Sequence, residues 1–78
     1  MMPVYFFHVS HAEGVIEDHE GTPLGDMAAA LTEARLSGRE ILIEALRSGD
    51  TRMLHSRISI ASSGGKILDA IELRTLLD

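Results

Sequence analysis

The chain has 78 residues, 45% of them apolar and 24% charged, and its seven Lys/Arg against twelve Asp/Glu give a formal net charge of −5. This composition suits a folded globule and not a disordered chain, and no apolar run approaches the roughly 18 residues that span a bilayer. With no cysteine, disulfide scaffolds, zinc ribbons and thiol redox chemistry are excluded, and the acidic balance argues against a nucleic-acid binder.

One small domain is the expected count. At about 60 residues a domain buries only around 60% of its unfolded surface, so a chain of this size without disulfide or metal is marginal alone. Oligomerisation is the common remedy, and a homodimer is the first expectation. The opening Met1, Met2, Pro3 and Val4 lack a basic n-region and a small-residue cleavage site, so no signal peptide is read and a cytoplasmic location is expected.

Residues 4–9 (VYFFHV) are β-branched and aromatic and predict a first strand, with Pro3 at the entry where its missing N–H costs least. After a polar stretch of about four residues, Gly14 opens a second short strand over 14–18. Placing Val9 opposite Gly14 sets Phe7 against Ile16 and Tyr5 against Asp18, with His8–Val15, Phe6–Glu17 and Val4–His19 on the other face. Both faces of the first strand are then apolar, which predicts that it is central in its sheet.

Residues 19–25 (HEGTPLG) hold two glycines and a proline and read as a loop. Asp26 is a good N-cap, and an Ala/Leu/Glu/Arg-rich stretch predicts a helix over 27–48, ended by Gly49 and about 33 Å long. Its core face, at 3–4 spacing, is Met27, Ala30, Leu31, Ala34, Gly38, Ile41, Leu42 and Ala45. Residues 50–54 connect to a third strand over 56–61, Ser62 to Gly65 form a turn, and a fourth strand covers 66–73. There Ile67, Ile71 and Leu73 share a face with Asp69 between them. Residues 74–78 either fray or add a helical turn. The predicted fold is α+β: a two-layer ββαββ domain, two antiparallel hairpins packed against one long helix.

The run Tyr5-Phe6-Phe7-His8 resembles the opening of a family of short, mostly alphaproteobacterial proteins known only as a domain of unknown function, which typically begin Met-x-x-Tyr-Phe-Phe-His. The likeness continues through Gly14, Ile16, Asp18, Glu20, Gly21, Leu24 and Asp26. In the helix it includes Glu33-Ala34, Arg39-Glu40 and Glu44, and it ends at Ile71 and Leu73. It departs at the first turn, where the family often has Asp-Gly and this chain has His11-Ala12. The resemblance implies the ββαββ order and no activity. The hairpin leading through Leu24-x-Asp26 into the helix is also similar in outline to antitoxin domains, which would imply a small basic protein partner. Those domains usually have three strands before the helix, and only two are visible in this sequence.

Three of the four histidines (His8, His11, His19) lie in or beside the first hairpin with Glu13, Glu17, Asp18 and Glu20. Imidazole and carboxylate ligate transition metals, so these three histidines are the metal candidates. The expected register holds His8 and His19 roughly 9–11 Å apart, and locally bonded or solvated histidines are the preferred reading. Tyr5 opposite Asp18 is the one conceivable acid–base pair, and a phenol bonded to a carboxylate for packing is the plainer alternative. Gly64-Gly65-Lys66 lacks the spacing of a P-loop. Arg35, Arg39, Arg47, Arg52 and Arg57 are interleaved with Glu33, Glu40 and Glu44 and have no aromatic among them, so nucleic-acid and membrane roles are not expected.

Ala29, Leu36 and Ile43 form a second stripe at seven-residue spacing, off the core face and flanked by charges. Such a stripe suits a helix–helix contact between copies of the chain. The expectation is therefore a non-enzymatic protein-interaction module with no cofactor. A metal- or small-ligand-binding role for the first hairpin is the alternative.

Overall fold

Asp26 starts the helix by accepting the Ala29 N–H at 2.9 Å, and Gly49 ends it at a positive φ of 78° while its own N–H meets the Ala45 carbonyl. The computed structural model describes residues 2–77. Its elements are β1 (Val4–His11), β2 (Gly14–Ile16), β3 (Thr22–Pro23), α1 (Met27–Ser48), β4 (Arg57–Ala61) and β5 (Ile67–Glu72). Two 3-10 segments, Thr51–His55 and Leu73–Leu77, complete it. The sheet is antiparallel in the order β2-β1-β4-β5, with β3 also on β1. This is an α+β fold consistent with the expected ββαββ layout, with the short β3 added, so that three strands and not the expected two precede the helix.

The helix occupies residues 27–48 as the pattern predicts. Ala30, Ala34, Gly38, Leu42 and Ala45 are buried, and Met27, Leu31 and Ile41 are half-buried. Against this stripe pack Tyr5, Phe7 and Val9 of β1, Ile58 and Ile60 of β4, and Leu73. The core is therefore single-sided: one layer of helix covers one face of the sheet. β1 is central, as predicted, paired with β4 along one edge and with β2 and β3 end to end along the other.

The first hairpin differs from its expected register. Gly14 pairs with His11 and Ile16 with Val9, so every pair is displaced by two residues and β1 runs to His11, not Val9. A turn as tight as Ala12-Glu13 needs relief from a positive φ, and Gly14 supplies it at 142°. The expected pairs Phe7–Ile16, Tyr5–Asp18, His8–Val15, Phe6–Glu17 and Val4–His19 do not form. Because the shift is even, each side chain keeps its face.

Other differences follow from local chemistry. β2 stops at Ile16, short of residue 18, because Asp18 turns the chain. The expected loop over 19–25 holds a two-residue strand, β3, where Tyr5 pairs with Thr22 and Val4 with Pro23, and Leu24 donates its N–H to the Pro3 carbonyl at 3.0 Å. The connection after the helix is a 3-10 segment started by Asp50, whose carboxylate accepts the Arg52 N–H. β4 and β5 are shorter than expected, at 57–61 and 67–72, with an irregularity at Ile60/Ala61. Leu73 belongs to the C-terminal 3-10 segment and is fully buried, and Asp78 lies outside the described residues.

Candidate functional site

The acidic first hairpin is a structural knot. Asp18 falls opposite Phe7 when the β1–β2 register is continued. Its carboxylate accepts the Phe7 N–H at 3.1 Å, where the strand pairing has lapsed, and the N–H groups of Glu20 and Gly21 at 3.1 Å each. Its own N–H is donated to His8 Nδ1 at 3.1 Å. Burial of the Asp18 carboxyl raises its pKa, but the N–H donors of Gly21, Phe7 and Glu20 and the nearby His8 outweigh burial and hold it below its ordinary value. The next residue that matters is Gly21, at φ 73°, where a Cβ would lie 2.5 Å from Val4 Cγ1 and 2.9 Å from Phe6 Cε2. Thus Tyr5, Phe6, Phe7, His8, Asp18 and Gly21, the residues that carry the family resemblance, together fasten one loop to β1.

The three candidate metal ligands do not converge. His8 is spent on the Asp18 N–H through Nδ1, and His11 accepts the Glu13 N–H through Nδ1 at 3.2 Å. His19 is exposed beside Glu17, 3.8 Å away. Among the described residues no three His, Asp or Glu side chains form a metal-holding group. Tyr5 and Asp18 are likewise apart: Tyr5 sits in the core opposite Thr22 and Asp18 serves Phe7.

A second arrangement was not anticipated. Where the ends of β1, β4 and β5 meet the two 3-10 segments, an open concavity of about 520 Å³ is lined by His11, His55, Arg57 and Arg74 with Glu72. Arg57 lies opposite Glu72 across β4–β5. Its Nη2 donates to Glu72 Oε1 at 3.2 Å, and Arg74 Nε donates to Oε2 at 3.3 Å. The Arg57 hydrogen bond, then Arg74, hold the Glu72 carboxyl below its ordinary range. These residues are scattered over the sequence, so only the strand register could have placed them together. Outside this lining, Arg52 is engaged by both Glu13 and Asp50.

The outer helix stripe is present and exposed. Leu36 is 50% and Ile43 54% accessible, and Leu46, three residues on, is 63% accessible. Ala29 is half-buried. Leu46 was legible as the i+3 neighbour of Ile43 and lies about 60° round the helix from it, on the side of Arg35 and Arg39. At about 100° per residue, Arg35 and Arg39 fall on one side of the Leu36–Ile43 line and Glu33, Glu40 and Glu44 on the other. Arg47 lies close to that line and pairs with Glu44 at 3.6 Å.

These features define a small two-layer α+β protein whose sequence motif is spent on loop architecture and whose outward surfaces are unclaimed by the fold. The chain belongs to the family described as domain of unknown function DUF6894, whose model matches residues 4–74. No curated protein and no solved structure matches it. Among the described residues no helix is long and apolar enough to cross a membrane.

Proposed function

We propose that this is a non-enzymatic, cytoplasmic protein-interaction module that works as a homodimer, paired through the outer face of α1. The observation that carries this reading is the outward pair Leu36 and Ile43, with Leu46 on the flank beside them, each at least half exposed on a helix that already has a complete inner face. Apolar side chains in a row gain from burial, about 1.5–3 kcal/mol for a Leu or Ile taken from full exposure.

Charge gives the pairing an orientation. One flank of the stripe carries Arg35 and Arg39, and the other carries Glu33, Glu40 and Glu44. If two copies pair about a two-fold axis running along the helices, the basic flank of each meets the acidic flank of the other. Antiparallel pairing would set like against like. Exposed ion pairs add little affinity, but like-charge contacts penalise the wrong arrangement, so the parallel dimer is favoured. A non-enzymatic role is supported by how the reactive side chains are used: Asp18 is committed to three backbone N–H groups and His8 to a fourth.

Sedimentation velocity on the purified chain tests this. The wild type should sediment as a dimer. Leu36→Glu places a carboxylate from each copy in the contact and should weaken association at least ten-fold, a loss of about 1.4 kcal/mol or more, with helix content by circular dichroism unchanged. A monomeric wild type, or a variant that stays fully dimeric, would overturn the reading.

A further inference from the structure

We propose that the concavity at the β4–β5 end of the sheet binds a small phosphate monoester, held by Arg57 and Arg74. The site lies away from the helix stripe, and its test does not depend on the oligomeric state.

The donor inventory points to an oxyanion. Two guanidiniums reach one point in the concavity, because both bond the same Glu72 carboxylate. His11 accepts the Glu13 N–H through Nδ1, so the proton of its neutral ring is on Nε2, available as a donor. Against these donors stands a single carboxylate, in a chain whose overall charge is −5. The concavity is thus a local reversal of the protein's charge sign.

Glu72 shows how the guanidiniums present themselves to an anion. Its carboxylate receives one N–H from each arginine, which holds both side chains near the position a ligand oxygen would take. A tetrahedral dianion with three terminal oxygens uses more of the available donors than a carboxylate does. The volume, about 520 Å³, exceeds that of one oxyanion. Ala12 and Leu54 also line it, and they offer contact to the organic group of an ester.

The test is an amide-correlation NMR titration of the full chain with glycerol 3-phosphate, using glycerol as the control. Saturable shifts are expected at Ser56, Arg57 and Arg74, with none from glycerol. Arg57→Gln and Arg74→Gln, both at exposed positions, should each weaken binding about ten-fold while leaving the remaining spectrum in place. Glu72→Gln removes the competing carboxylate and should tighten binding several-fold. The proposal is overturned by the absence of saturable shifts at millimolar ester, by unchanged affinity in both arginine variants, or by weaker binding in Glu72→Gln.

Discussion

Asp18 takes the backbone N–H of Phe7 on its carboxylate at 3.1 Å, doing for β1 what a neighbouring strand would have done. β2 ends at Ile16 and β3 begins at Thr22, and between them five residues lie opposite three of β1. The surplus is absorbed in a loop that Asp18 organises through Glu20 and Gly21. Asp18→Asn keeps the shape but removes the charge from three hydrogen bonds. We expect a loss of about 1–3 kcal/mol at neutral pH, read by urea unfolding.

The same carboxylate links stability to pH. A group whose folded pKa is depressed stabilises the native state above its unfolded value, about 4, and that contribution is lost as pH falls through the folded value. Wild type should therefore lose stability below about pH 4 more steeply than Asp18→Asn. The variant keeps some slope, because the Glu72 carboxyl is also held low by Arg57 and Arg74. Parallel acid-unfolding curves for the two proteins would contradict this.

Gly21 and Gly49 separate conformational strain from steric conflict. Both have φ between 70° and 80°, but a Cβ on Gly49 meets nothing within 4 Å while one on Gly21 strikes Val4 and Phe6. Gly49→Ala should cost about 1 kcal/mol, and Gly21→Ala should cost at least about 1 kcal/mol more. Thermal unfolding of the pair reads the difference directly.

Gly38 lets the C-terminal 3-10 segment close against the helix. A Cβ there would lie 2.5 Å from Leu76 Cδ1 and 3.3 Å from Leu73 Cδ2. Gly38→Ala gains about 1 kcal/mol of helix propensity and pays an overpacking cost of about 1–3 kcal/mol, so it should be mildly destabilising. In a Leu76→Ala background the closest clash is gone, and the same substitution should become stabilising. A double-mutant cycle that shows no such change of sign would place the contact elsewhere.

How much of this was legible in the sequence depended on how far apart the interacting residues lie. The helix and its inner face follow from periodicity alone, since Ala30, Ala34, Leu42 and their neighbours repeat at helical spacing. The central position of β1 follows from its aromatic run. The register of the first hairpin did not follow, because a four-residue loop and a two-residue turn before Gly14 use the same residues. β3 is too short to carry a period, and only its pairing to Val4 and Tyr5 defines it. The concavity was hidden for a stronger reason: Arg57 meets Glu72 across a register, and Arg74 reaches the same carboxylate from a segment whose 3-10 form the sequence left open.

The most direct test of the proposed parallel dimer uses the absence of native cysteine. Ala29→Cys and Ile43→Cys are placed singly on the outer helix face, about 21 Å apart along the axis, and each protein is oxidised and run on a non-reducing gel. In a parallel, in-register dimer each position meets its own copy, so both variants should form disulfide-linked dimers. Cross-linking at only one position would mean that the helices run antiparallel or out of register. Cross-linking at neither, in proteins that remain helical, would contradict the parallel dimer.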